Sequence, residues 1–168
     1  MNYDWLNDID TQHWEWHNYQ IAANIKFLTI VAFGSGTLRL GVSSNGEWIV
    51  KSDNTIFPLL ENEKKFTLLS LLEMNYEEFK KKVYTRIKDL NGNPDLAWRT
   101  FPIKKIILAG LLQESDYWAR LALSWIPAIA VDAREEFYAP LKALSLAKWA
   151  SQHVRHQAYR FIKQIERR

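Results

Sequence analysis

The stretch "HWEWH", residues 13–17, holds the residue types closest to chemistry. On a helix His13 and His17 share a face four residues apart, a workable spacing for two metal ligands. Glu15 stands at the third place and points to another face, so the H-E-x-x-H pattern is not met. The H-x-E triplet of zinc deaminases needs a P-C-x-x-C partner, and the chain has no cysteine. No third ligand can be named, so the expectation is no metal and a surface or interface role for both histidines. In "GSGTLR" (34–39) Arg39 takes the place of the third glycine of a dinucleotide fingerprint. A strand pattern follows it where that fingerprint needs a helix, so it reads as a turn. Ser43 and Ser44 lack the context of a nucleophile elbow. His153 and His156 flank Arg155 with no carboxylate or nucleophile at an informative spacing. Arg155 reads as a packed side chain, with the histidines exposed. These residues give no catalytic set and call for no cofactor.

Composition narrows the classes. A chain of 168 residues is one domain, or a domain with a small appendage, and can bury a core without staples. Hydrophobic residues make up 48% and charged residues 24%, the balance of a folded domain. Eight Trp, seven Tyr and eight Phe belong mostly to the core, with some free to form a partner surface. The lack of cysteine excludes disulfides, thiolate metal sites and cysteine nucleophiles, and fits a cytoplasmic protein. "MNYDWLNDID" has no basic segment followed by an apolar one, so no signal peptide is expected. No apolar run approaches the roughly 20 residues needed to span a bilayer. The net charge of +3 is uneven: residues 1–20 carry Asp4, Asp8, Asp10 and Glu15 with no Lys or Arg. Residues 141–168 carry seven cations against Glu166 alone.

The elements that must position these residues follow from periodicity. Trp14, Ile21, Ile25 and Leu28 step by three, four or seven residues, which predicts a helix from Asp10 to about Phe27, capped by Asp10 or Thr11. "FLTIVAF" (27–33), "TLRLGVS" (37–43) and "EWIVKSD" (47–53) predict a three-stranded antiparallel meander, with a hairpin at Asn45–Gly46. After Pro58 the pattern turns helical over 61–74 and 75–90. In the second of these Phe79, Val83, Ile87 and Leu90 form one apolar stripe. "NGNP" (91–94) reads as a turn with Pro94 at the first position of a helix. Further helices are expected over 102–115 and 115–126, and from 132, where Asp132 and Glu135 have capping-box spacing. Pro140 interrupts or restarts that helix. The last two helices run over 141–150 and 151–166. The fold class is therefore α+β, mainly α. An N-terminal helix and small β-meander over 1–60 leads into a bundle of α-hairpins over 61–168.

"SDYWARLALSWI" (115–126) and "SQHVRHQAYRFI" (151–162) lie thirty-six residues apart, so that Ser115, Ala122 and Ile126 fall on Ser151, Ala158 and Ile162. Trp125 falls on Phe161. Each follows another helix after a tight turn, and the period suits stacked helical hairpins. The expected buried faces are Trp118, Leu121, Ala122, Trp125 and Ile129, then Val154, Ala158, Phe161, Ile162 and Ile165. Val154-Arg155 followed by Ala158 and a bulky apolar residue resembles the second helix of HEAT-like repeats, over about residues 100–166. The first copy keeps Asp116 at the turn but places Trp118-Ala119 where Val-Arg would stand. The resemblance implies a binding scaffold built from an extended helical surface.

The function expected from these readings is non-enzymatic protein binding. Its most concrete version is a bacterial immunity or antitoxin-type inhibitor that holds a cognate effector. The interface expected is the acidic segment Asp4, Asp8, Asp10 and Glu15, with Trp14 and Trp16 as anchors. The alternative is nucleic-acid binding by a basic C-terminal face of Arg155, Arg160, Lys163, Arg167 and Arg168.

Overall fold

The structure, a computed structural model, describes residues 4–6, 9–17, 25–33, 36–52, 55–59 and 69–167. The class is α+β, mainly α. Five strands form one antiparallel sheet in sequence order: β1 (Glu15–His17), β2 (Ile25–Phe33), β3 (Leu38–Ser43), β4 (Trp48–Ser52) and β5 (Thr55–Pro58). Among the described residues the α-helices with full bounds are α1 (Tyr76–Asp89), α2 (Pro94–Thr100), α3 (Ile103–Leu111), α4 (Asp116–Trp125), α5 (Tyr138–Leu146) and α6 (Gln152–Glu166). Two 3-10 segments, Ile126–Ala128 and Val131–Phe137, join α4 to α5.

The chain divides into two compact units, Met1–Ser70 with Glu77–Pro102, and Leu71–Tyr76 with Ile103–Arg168. This differs from a division after residue 60. The sheet's unit takes in nearly all of α1 and all of α2, because the apolar stripe of α1 and the aromatic end of α2 bury themselves within it.

In the first unit the expected N-terminal helix is replaced, among the described residues, by a 3-10 turn at Thr11–His13 and by strand β1. Glu15, Trp16 and His17 pair with Phe27, Lys26 and Ile25. Residues 18–24 of the expected helix lie outside the described residues. The spacing of Trp14, Ile21, Ile25 and Leu28 is compatible with a helix, but pairing between distant segments decides the outcome, and no local pattern records it. With that helix absent from 11–17, Asp10 caps no α-helix; it accepts the Gln12 backbone N–H at 3.0 Å at the short 3-10 turn.

The expected meander is present with two further strands. Its β3–β4 hairpin differs in detail from the expected two-residue turn. Ser43 N–H donates to the Glu47 carbonyl at 2.8 Å, leaving a three-residue loop. Gly46 takes φ 84° while Asn45 does not have positive φ, as in a turn closed by a glycine bulge. The Ser43 hydroxyl is buried and accepts the N–H groups of Asn45 and Glu47, which is a structural role. Phe79, Val83 and Ile87 of α1 are buried as expected. The Trp48 ring lies between Trp5, stacked at 6.2 Å, and Phe101, edge-on at 5.0 Å. Its indole N–H donates to the Thr100 hydroxyl at 2.9 Å, so the polar atom of this buried ring is satisfied. Asn93 caps α2 through the N–H groups of Asp95 and Leu96, with Pro94 just inside.

In the second unit α3 and α4 form one hairpin and α5 and α6 another; α3 packs on α5 and α4 on α6. The first hairpin turns at Glu114, held at φ 53°. The close approach of α3 and α4 depends on Gly110. A Cβ there would lie 2.8 Å from the Ala122 Cβ and 2.7 Å from Leu72 Cδ1. The buried stripe of α4 is Ala119, Ala122, Leu123 and Trp125, with Trp118 and Leu121 half-buried. In α6 it is Val154, Ala158, Phe161 and Ile162, with Ile165 half-buried. Leu123 is buried while its counterpart Tyr159 is exposed. The reason is position: α4 is flanked by α6 and by the 71–76 segment, whose Met74 carbonyl accepts the Trp125 indole N–H at 3.1 Å. The expected capping box at Asp132–Glu135 does not form; Val131–Phe137 is 3-10 with no side-chain cap. The chain restarts as α5 at Tyr138, next to Pro140, as expected. Of the helix expected over 61–74, residues 61–68 lie outside the described residues.

Candidate functional site

The strongest candidate is the turn end of the two stacked hairpins. Both α4 and α6 begin at a serine, Ser115 and Ser151, one repeat apart. The Ser151 hydroxyl caps its helix through the Val154 N–H, whereas Ser115 makes no such bond. Asp116 Oδ1 accepts the Ser151 backbone N–H at 2.6 Å, so the two helix starts are tied side by side. That bond from the Ser151 backbone, and then the Ser151 hydroxyl, hold the Asp116 carboxyl below its usual range; the nearby charges of Arg120 and His153 add to this. Arg155 Nη1 donates to the carbonyls of Ala150 at 2.8 Å and Ala147 at 3.4 Å, which fixes the second turn.

This frame carries apolar side chains outward. Leu112 is 63% exposed, Leu146 76%, Tyr117 43% and Trp149 38%. Leu112 follows the end of α3, Tyr117 opens α4, Leu146 ends α5 and Trp149 lies in the second turn, so all four belong to the end where the hairpins reverse. Tyr117 donates to Glu73 Oε1 at 3.1 Å, and that bond raises its phenol above the usual range. Exposed charges at the same end are Glu114 on the first turn and Lys148 on the second, with His153 beside them. Apolar groups rimmed by both signs of charge, on a pinned backbone, are suited to recognising a protein surface.

The structure treats the other expected residues differently. Asp10 is exposed and bonded to Gln12 through both oxygens. Glu15 is exposed and lies 3.8 Å from Arg39 and from Lys51, so it is engaged within the sheet. Trp14 is half-buried. Asp8 and the side chains of Asp4 and Trp16 lie outside what is described, so of the expected interface only Asp10, Trp14 and Glu15 are placed. The helical face that would join His13 to His17 is not formed. Among the described residues no group of three or more His, Asp or Glu is arranged to hold a metal ion.

On α6, Arg155 is committed to the turn carbonyls, and Lys163 pairs with Glu166 at 2.7 Å while lying over the Tyr159 ring. Arg160 and Arg167 are exposed, and Arg168 lies outside the described residues. His153 and His156 are exposed, as expected.

One buried charge had no sequence signal except its sign. The Arg134 guanidinium donates to the Ile129 carbonyl at 2.7 Å, the Pro127 carbonyl at 3.0 Å and Gln164 Oε1 at 3.0 Å. It clamps the α4–α5 connection onto α6. No helix among the described residues is long and apolar enough to cross a membrane. No family model, no curated protein and no solved structure matches the chain.

Proposed function

We propose that this chain is a protein-binding protein whose C-terminal hairpins form a short HEAT-like stack and whose turn end grips the partner. The single observation that carries the reading is the exposure of Leu112, Tyr117, Leu146 and Trp149 at the turn end of a frame pinned by the Asp116–Ser151 bond. Large apolar side chains left in water at one rigid edge contribute most when a partner covers them. The pairing of α3 with α5 and of α4 with α6 supports the stacked-hairpin reading. The concrete form of the function is inhibition by occupation, as an immunity or antitoxin-type protein holds its effector.

The test is affinity purification of the tagged chain from its native host, with mass spectrometry and nucleic-acid staining. One stoichiometric protein partner is expected, lost when Leu146→Ser and Trp149→Ser are combined. Recovery of no partner, or of nucleic acid in its place, overturns the reading.

A further inference from the structure

The two hairpins of the second unit carry matching positions into different surroundings. α3 and α5 are each nine residues long, so Ile107 matches Lys142 and Leu111 matches Leu146; between α4 and α6, Leu123 matches Tyr159. Ile107, Leu111 and Leu123 are buried, whereas Lys142, Leu146 and Tyr159 are exposed. The first hairpin has α5 and α6 on one side and the 71–76 segment against α4 on another. Among the described residues no helix packs on the matching outer side of the second hairpin. Lys142 and Leu146 are one turn apart on α5, as Tyr159 and Lys163 are on α6, and the two pairs belong to one face. Tyr138 donates to Glu166 Oε1 at 3.0 Å across the helices, and the Lys142 charge, after Lys163 and Tyr138, helps to hold the Glu166 carboxyl below its usual range. Lys163 Nζ lies 5.3 Å over the Tyr159 ring.

Shape and charge together select the occupant. Hairpins of this kind are covered by helices, as α5 and α6 cover the first one. A lysine stands where the covered copy has Ile107, so a helix lying here must answer a cation as well as apolar groups. From Tyr138 to Glu166 the chain carries five Lys and Arg against Glu166 alone; Glu135 and Glu136, just before α5, reduce that excess without cancelling it. Glu136 pairs with Lys104 and Glu166 with Lys163, which leaves Lys142, Lys148 and Arg160, all exposed, without an ion pair among the described residues. Two copies meeting through this face would set like charges together, and phosphates alone would leave Leu146 and Tyr159 in water. We infer that the outer face of α5 and α6 takes an acidic amphipathic helix of a partner protein, whose apolar stripe covers Leu146 and Tyr159 and whose carboxylates meet Lys142. This rests on the stacked-hairpin reading above and adds a second face to it; Leu146 is shared with the turn end, while Lys142 and Tyr159 are not.

The test is panning of a phage-displayed library of alanine-based helical peptides, randomised on one face, against the full chain. The selected helices are expected to carry Leu, Ile or Phe one turn apart, with Asp or Glu beside them. Made synthetically, they shift the backbone amide resonances of α5 and of residues 156–163 in 15N-resolved NMR. Lys142→Glu and Tyr159→Asp, both at exposed positions and checked by circular dichroism, each weaken binding about ten-fold. Trp149→Ser, made at the turn end, leaves binding unchanged, so failure of this face and failure of the turn-end reading are told apart. The inference is overturned if no helix is selected, if the selected helices are indifferent to Lys142→Glu, or if they depend on Trp149. It is overturned as well if a thymidylate dodecamer binds more tightly than any selected helix, or if light scattering shows a dimer that Tyr159→Asp dissolves, since the face then serves phosphates or a second copy.

Discussion

Asp116 and Ser151 are thirty-five residues apart in the chain, yet the carboxylate of one accepts the backbone N–H of the other at 2.6 Å. The bond joins the start of α4 to the start of α6. Asp116→Ala is expected to cost about 1 kcal/mol in urea unfolding at neutral pH, and Asp116→Asn less, since an amide oxygen still accepts. The folded-state carboxyl lies below its ordinary value of 3.8. Its contribution is therefore present above that value and is lost as pH falls through the lower, folded-state one. The difference between wild type and Asp116→Ala should shrink on acidification below 3.8; a difference that holds or grows there would contradict the assignment.

Arg134 is buried, with two backbone carbonyls and Gln164 as acceptors. Lysine's three N–H bonds share a single nitrogen, which cannot span acceptors that here meet Nε, Nη1 and Nη2 separately. Arg134→Lys and Arg134→Met should each cost about 2–3 kcal/mol in chemical denaturation, because buried carbonyls lose their donors. A loss under half a kilocalorie would mean that water replaces the guanidinium.

Gly110 sits mid-helix, where alanine would ordinarily gain about 1 kcal/mol. Here the added methyl meets the Ala122 Cβ at 2.8 Å and the Trp118 carbonyl at 3.2 Å, neither of which can rotate away. Overpacking of this kind costs roughly 1–3 kcal/mol, so Gly110→Ala should be destabilising on balance. Ala122→Gly made in the same chain should recover part of the loss, and a thermodynamic cycle measures the coupling.

Leu146 and Trp149 predict the opposite pattern. Both are exposed, so Leu146→Ser and Trp149→Ser should change stability by no more than about 0.5 kcal/mol. Retention of the protein partner should fall sharply in the same variants. A variant that unfolds readily would show that these side chains serve the fold and not a surface.

Much of the helical half was legible because its signals are local. Pro94 at the first position of α2, the apolar stripe of α1 and the tight turns before Ser115 and Ser151 are each fixed by neighbours within a few residues. The buried faces of the repeats were legible too, with Trp125 and Phe161 in matching places. Beyond that, pairing at a distance takes over. Glu15–His17 is a strand because residues 25–27 lie beside it, and no period in residues 10–28 records that neighbour. Leu123 and Tyr159 occupy one repeat position with opposite burial, because the segment 71–76 flanks α4. Asp132 and Glu135 suggested a cap, while the residue that matters in that stretch is Arg134, whose acceptors are carbonyls without a sequence signature. The turn holding Asp116 was legible, but the interface was expected in the acidic segment Asp4–Trp16 and not at the exposed Leu146 and Trp149. Nothing in composition tells a leucine that faces water from one that faces a core.

The interleaving of the two units bears on the order in which the chain can be finished at the ribosome. Every residue of the sheet's unit is outside the ribosome once Pro102 emerges, whereas Leu71–Tyr76 belongs with helices that emerge later. Leu71 and Leu72, fully covered in the finished protein, stay uncovered until α3 and α4 arrive. The six-residue piece 71–76 therefore waits for its own unit while the segments on either side of it can already pack.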